Sequence, residues 1–306
     1  MRIVSLTPTA TGIARALGLG PRIVGVGHAD DATGPRRPRR VARSERRLDG
    51  RRSRTIHRAA LQAAAAGRPL VRVDSQALEH LRPDLILLTE PADPLGPDLA
   101  EIRAIADRCD PRPTVLVLEP TSLEGVFHAI TTVGAYAEVE PAALRLVSRL
   151  RSRLGRIEHR IQLRREAGHR PPRVAVLEWL DPLRASGRWV PELVRRAGGW
   201  DVLGQEGEPA TATSWRAVAE VDPELLFLAP RGFDTRAAAA EWARIRRPAA
   251  WGRLEAVRRG QVVVLDSRLV AYPGPALLDG MAVMAEVLDP EAFVDVAPPT
   301  AWVPVD

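Results

Sequence analysis

Apolar positions along this chain fall into short unbroken runs, and a helical pattern follows each. The runs are "RIVSL" (2–6), "RIVGVG" (22–27), "LVRV" (70–73), "DLILL" (84–88), "TVLVL" (114–118), "RVAVLEW" (173–179), "ELLFLA" (224–229) and "QVVVL" (261–265). Runs that do not alternate with polar residues fit strands covered on both faces, as in parallel sheets flanked by helices. The pattern therefore predicts an α/β fold with parallel sheets.

Two stretches resemble each other. "SQALEHLRPDLILL" (75–88) and "WRAVAEVDPELLFL" (215–228) place apolar residues at matching offsets before a Pro-acid-Leu strand start, 140 residues apart. A repeat at that distance predicts two similar lobes. Between them, 122–137 and 141–165 carry helical patterns, and the second predicts a basic amphipathic rod of about 37 Å at ~1.5 Å per residue. The expected organisation is an N-terminal lobe over 1–121, linking helices over 122–168 and a C-terminal lobe over 169–306. Residues 34–54, rich in Arg, read as a solvated loop, and the tail "APPTAWVPVD" as irregular with Trp302 docking on the body.

Charge sharpens this picture. Every one of the 44 basic residues is Arg, which excludes a Walker lysine, a Schiff base and a pyridoxal-phosphate lysine. Ten of them lie between Arg36 and Arg54 against only Glu45 and Asp49, so the net +6 is local. A lone Cys109 excludes disulfides and thiolate zinc sites and reads as a small buried side chain. "MRIVSLTP" lacks the features of a secretory leader, and no run is long and apolar enough to span a bilayer, so the expectation is a cytoplasmic protein, or a periplasmic or cell-surface one if the start codon lies upstream.

Candidate chemistry sits where strands end, since open α/β sheets bind ligands outside the carboxyl ends of their strands. Trp189, in "SGRWVPELVRRAGGW" (186–200), precedes a helix start at Pro191 and is expected to present its ring to a ligand. Trp179 and Trp215 fall at similar loop edges. In "APRGFD" (229–234), Arg231 and Phe233 follow a strand, and in "RLVAYPGP" (268–275) Arg268 and Tyr272 follow the last one. His28, Asp30 and Asp31 are possible metal ligands or plain loop residues; Ser5, Thr7 and Thr9 suit an anion site or a helix cap. Gly-x-Ser-x-Gly, His-Glu-x-x-His and the dinucleotide fingerprint are missing, and no catalytic set is expected.

Together "RIVSLTPTATGIARALGLGPRIVGVGHADD", "LRPDLILL", "EWLDPLRASGRWVPELVRRAGGWDVLG", "TSWRAVAEVDPELLFLAPRGFD" and "YPGPALLDG" resemble the cobalamin-binding members of the iron-siderophore and cobalamin class of ABC-transporter substrate-binding proteins. The resemblance implies two Rossmann-like lobes joined by one long helix, with a ligand in the cleft between them. It implies non-catalytic binding of a bulky ligand, a corrinoid first, with haem or an iron chelate as relatives, and no resident cofactor or metal. With the strand-end positions, this gives the candidate ligand set Thr7, Pro8, His28, Asp30, Glu90 in the loop "TEPADPLGP" (89–97), Trp179, Trp189, Trp215, Arg231, Phe233, Arg268 and Tyr272, the last of them a cleft contact that the resemblance implies. The chain departs from that pattern. Gly12 stands where relatives carry an acid, and Arg231 and the 89–97 loop stand where relatives carry Cys. Arg216 occupies a docking position that is a carboxylate in transport-competent members, with Asp98 or Glu101 left for the other lobe; a permease partner is therefore open. Two other readings compete: nucleic-acid binding through Arg36 to Arg54 and the basic helix, and a two-lobed enzyme acting on a tetrapyrrole or metal chelate.

Overall fold

The computed structural model describes residues 1–30, 37–44, 50–89 and 96–305. The chain forms two compact α/β units. One comprises Met1–Arg51, Thr55–Pro120 and Glu124–Val147; the other comprises Arg52–Arg54, Thr121–Leu123 and Ser148–Asp306.

In the first unit the strands are β1 (Ile3–Ser5), β2 (Ile23–Val26), β3 (Arg39–Arg40), β4 (Ala42–Ser44), β5 (Val71–Val73), β6 (Leu85–Thr89) and β7 (Thr114–Leu118). Its helices are α1 (Pro8–Ala16), α2 (Ser53–Ala65), whose first two residues count with the second unit, α3 (Ser75–Leu81), α4 (Leu99–Ala106) and α5 (Leu123–Tyr136). Five strands form a parallel sheet in the order β3-β2-β1-β6-β7. Ile3, Val4 and Leu85 through Leu88 are almost wholly buried, as expected for strands covered on both faces.

Three local expectations fail here, each for a visible reason. Residues 70–73 do not join the parallel sheet: β5 alternates buried, exposed, buried, with Arg72 outward, and pairs antiparallel with β4. The basic segment is not wholly a solvated loop, because Val41 and Ala42 are fully buried in a cluster with Val71 and Val73. Two apolar residues among arginines were enough to fold that part inward; 31–36 and 45–49 lie outside the described residues. Cys109 is only partly buried, packed against the same cluster, with burial pushing its thiol pKa up.

Helix α6 (Glu140–Glu166) is the long basic helix, and the division between units falls inside it, after Val147, rather than at its ends. Its buried stripe is Ala143, Leu146, Leu150, Leu154, Ile157 and Ile161; Leu144 is 64% exposed. At the α5–α6 turn the chain reverses so tightly that a Cβ on Gly134 would lie 2.4 Å from that of Ala143.

The second unit holds β8 (Arg173–Leu180), β9 (Leu183–Ala185), β10 (Gly187–Arg188), β11 (Trp200–Asp201), β12 (Gln205–Glu206), β13 (Leu225–Leu228), β14 (Val262–Leu265) and β15 (Trp302–Pro304). Its remaining helices are α7 (Val190–Arg196), α8 (Trp215–Val221), α9 (Thr235–Trp242), α10 (Glu255–Arg258) and α11 (Leu277–Leu288). The sheet order is β11-β8-β13-β14-β15, parallel except for β15, with β9 antiparallel on β8. The tail is therefore a strand and not irregular, and Trp302 reaches Glu286 through its indole N–H at 3.4 Å.

The sequence repeat is a repeat of geometry. Helices α3 and α8 each have seven residues, each is capped by a side chain (Asp74 to the Ala77 N–H, Ser214 to the Ala217 N–H), and each ends on a left-handed residue, Arg82 at φ 42° and Asp222 at φ 39°. A proline and then a sheet strand follow in both.

Candidate functional site

A strand buried on both faces can offer a polar side chain only where its regular pairing stops. In the second unit β8 stops pairing with β13 after Leu177↔Leu228, and its pairing with β9 steps from Leu177↔Ala185 to Trp179↔Arg184. Glu178 is the extra residue of that bulge. Bulges re-aim a side chain and end pairing, and they recur beside functional sites. The Glu178 carboxylate accepts from the Gly187 N–H at 3.1 Å, while its backbone carbonyl accepts from the Arg231 N–H at 3.0 Å. Its pKa is raised, chiefly by burial and further by Asp201, against the opposing pull of Arg231, the Gly187 N–H and Arg184. The residue as a whole is half-buried while its carboxyl is enclosed.

Two loops complete this edge. Arg231, half-buried, follows β13. Gly232 beside it takes φ 82°, a left-handed turn that favours glycine, and a Cβ there would lie at an ordinary contact of 3.5 Å from the Tyr272 hydroxyl. The loop after β14 is held by buried ties: Ser267 donates through its N–H and hydroxyl to the Phe233 carbonyl at 3.1 and 2.8 Å. The α11 backbone presses on it, since a Cβ on Gly280 would lie 2.5 Å from the Leu269 carbonyl oxygen. Arg268 is exposed and closes its guanidinium on Asp266, at 2.9 and 2.6 Å, within its own turn.

The aromatic residues are placed differently from the expectation. Trp189 is 3% exposed and donates its indole N–H to the Val270 carbonyl at 2.7 Å, so it braces the β14 loop instead of facing a ligand. Trp179 and Phe233 are also buried, and pack edge to face at 6.1 Å and 86°. The Trp179 N–H is spent on the Asp181 carbonyl. Trp215 is half-buried in a cluster with Trp242 and Trp251, at 6.0 and 5.5 Å. Burying these indoles removes far more apolar area from water than an exposed platform would. Of the rings expected at this edge, Tyr272 remains half-exposed beside Arg231.

In the first unit, Thr7 and Pro8 open α1, Thr7 at the cap position and Pro8 as the first helical residue. The Thr7 hydroxyl does not cap the helix; it accepts from the Thr89 N–H at 3.1 Å. Ser5 is buried and accepts from the Thr11 hydroxyl at 2.7 Å, and Thr9 is buried, so these hydroxyls serve the packing of β1 on α1. His28 is half-buried, and its carbonyl accepts from Arg40, which also donates to the Asp30 carbonyl at 2.9 Å. The Asp30 side chain is 5% exposed, and its Oδ2 has no hydrogen-bond partner among the described residues. Burial raises its pKa to about 6, against the lowering effects of Thr11, Arg15, the Gly27 N–H and Arg40. Glu90 and Asp31 lie outside the described residues, and no group of three or more metal-ligating side chains occurs among those described.

A cavity of about 270 Å³ in the second unit is elsewhere. It is lined by Arg164, His169, Arg170, Pro172, Leu288 and Phe293, at the start of β8 and so at the opposite end from Glu178.

Comparison with known proteins places the fold. Residues 3–269 match the family model described as periplasmic binding protein. An uncharacterized ABC transporter substrate-binding lipoprotein of Bacillus subtilis, YvrC, is 25% identical over 296 residues, covering 95% of this chain and 81% of that protein. Among solved structures, a periplasmic heme-binding protein of Pseudomonas aeruginosa aligns with TM-score 0.68 at 21% identity, over 95% of this chain and 93% of the other. The periplasmic vitamin B12-binding protein BtuF of Vibrio cholerae aligns with TM-score 0.67 at 21% identity, over 94% and 96%. These structures establish the two-lobed α/β fold. The cytoplasmic expectation is overturned: the family is periplasmic and the curated relative is a lipoprotein, which points to an extracytoplasmic location. That expectation rested on a missing leader pattern, and such an absence does not determine where a protein works.

Two predictions follow from this placement of side chains. Trp189→Phe replaces the indole with a smaller ring and strips the Val270 carbonyl of its donor, which should lower stability by about 1–3 kcal/mol in urea unfolding and, by loosening the β14 loop, weaken ligand affinity. For Asp30, a folded pKa above the ordinary 3.8 means that the native state holds this proton more tightly than the unfolded chain. Its contribution is fully present below pH ~4 and is lost as pH rises through about 6. The stability of Asp30→Asn relative to the parent should therefore rise between pH 4 and pH 7 by about 2–3 kcal/mol, read as paired urea midpoints across that range.

Proposed function

We propose that this chain, which belongs to the periplasmic binding protein family, captures a metal tetrapyrrole outside the cytoplasm, a corrinoid first and haem second, for delivery to an ABC permease. It works by binding alone, without covalent chemistry. The observation that carries the ligand class is the set of polar groups at the carboxyl edge of the second sheet, where the Arg231 N–H donates to the Glu178 carbonyl, the arginine's charge acts on the buried Glu178 carboxyl, and the neighbouring Gly232 meets the Tyr272 phenol.

A guanidinium fork suits the oxygen-rich rim of such a ligand, a phosphodiester or amide carbonyl in a corrinoid and a propionate in haem. Glu178 lies close enough to feel that charge, and the arginine's pull opposes the upward effect of burial on its carboxyl pKa. The phenol adds one hydroxyl and one apolar face. Because Ser267, Trp189 and Gly280 fix the β14 loop from below, little ordering is left for the ligand to impose, which favours affinity. The named ligands of the Pseudomonas and Vibrio structures, heme and vitamin B12, share this size and shape and support the reading.

Calorimetry and absorbance titration with hydroxocobalamin and haemin test it. Binding of one of them with a dissociation constant of about 1 μM or tighter, near −8 kcal/mol, is the expected result. Arg231→Gln should weaken it about tenfold or more with no change in melting temperature. A parent protein that binds neither compound, or an Arg231→Gln variant with undiminished affinity, overturns the assignment.

A further inference from the structure

Helix α6 sorts its arginines by side. Arg153 pairs with Asp279, Arg164 pairs with Asp289 at 2.6 Å and Glu291 at 3.1 Å, and Arg160 donates to the Ala292 carbonyl while lying 5.8 Å over the Phe293 ring. These flank the buried stripe and fasten the helix to the second unit. Away from that stripe, Arg145, Arg149, Ser152, Arg156, His159 and Leu163 follow one another at steps of four and three, which places them on one face, and all six are exposed. Arg145, Arg149 and Arg156 make no ion pair or hydrogen bond among the described residues.

The face has no acid of its own over this length. Glu158, the one carboxylate between 145 and 163, is turned to the flank and held by Arg196. The stripe runs about 27 Å at ~1.5 Å per residue. At its far end the face carries an exposed leucine, Leu163 at 51%.

We propose that this face of α6 docks on an anionic phospholipid surface. Unpaired guanidiniums without neighbouring acids are matched to lipid phosphates, which they grip bidentately. Each basic residue near an anionic bilayer adds affinity that falls off within a Debye length. Leu163 enters the headgroup layer, as the apolar residues of interfacial helices do. A nucleic acid fits less well: the face carries no Trp, Tyr or Phe for base stacking, its leucine would find nothing apolar on a phosphate backbone, and the chain's family is periplasmic. Docking of this kind holds a receptor against the membrane in which a permease resides.

Vesicle sedimentation with the full chain tests the proposal, using phosphatidylcholine vesicles with and without phosphatidylglycerol, in low and high salt. The parent should bind the phosphatidylglycerol vesicles in low salt, release them in high salt and ignore the neutral ones. The triple variant Arg145→Gln, Arg149→Gln, Arg156→Gln should bind at least about tenfold more weakly with unchanged helicity and melting temperature. Leu163→Ser should weaken vesicle binding and leave any retention of duplex DNA unaltered. No parent binding to anionic vesicles, or full binding by the triple variant, overturns it. So does parent affinity for duplex DNA equal to that for vesicles with the leucine variant indistinguishable on both.

Discussion

In the second unit everything follows from a sheet that is buried on both faces. Leu225 through Leu228 and Val262 through Leu265 carry nothing but apolar side chains, each at most 4% exposed. Such strands cannot host chemistry along their length without burying an unpaired charge, at a cost of several kcal/mol. Polar function is driven to the strand ends. At β8 the transition from core to site takes one residue: Leu177 is wholly buried, and the bulge that follows turns Glu178 toward the Gly187 N–H and the Arg231 loop.

The same constraint explains the fate of the tryptophans. A loop at the end of a covered strand needs support from beneath, and an indole supplies a large apolar body with one donor. Trp189 uses that donor on the Val270 carbonyl, and Trp179 uses its own on Asp181. These rings are still part of the binding apparatus in a mechanical sense, because they set the stiffness of the loops that carry Tyr272 and Arg231. Affinity for a large rigid ligand then comes from a shape that exists beforehand more than from closure on the ligand.

Much of the fold was legible because burial on both faces writes itself as unbroken Val, Ile and Leu runs, and seven of the eight predicted runs are strands of the two parallel sheets. The exception, 70–73, contained Arg72, whose outward turn is the mark of a strand with one open face. The α3 and α8 repeat was legible down to its consequence, two related units. Glu178 was not. A bulge is a feature of register between two strands, and register depends on partners that the linear pattern does not name. The direction of an aromatic ring is equally silent in sequence: Trp189 lies beside a loop in either case, and only packing against Val270 decides which way it turns. The extracytoplasmic location was also out of reach of composition, and came from the family.

The most direct test of this account is a crystal structure with hydroxocobalamin or haemin bound. The account predicts ligand oxygens on the Arg231 guanidinium and ligand contact with Tyr272, while the Trp179 and Trp189 indoles keep their bonds to the Asp181 and Val270 carbonyls. A ligand stacked on either indole, with Arg231 turned away from it, would contradict the claim that the polar groups at the bulge form the site.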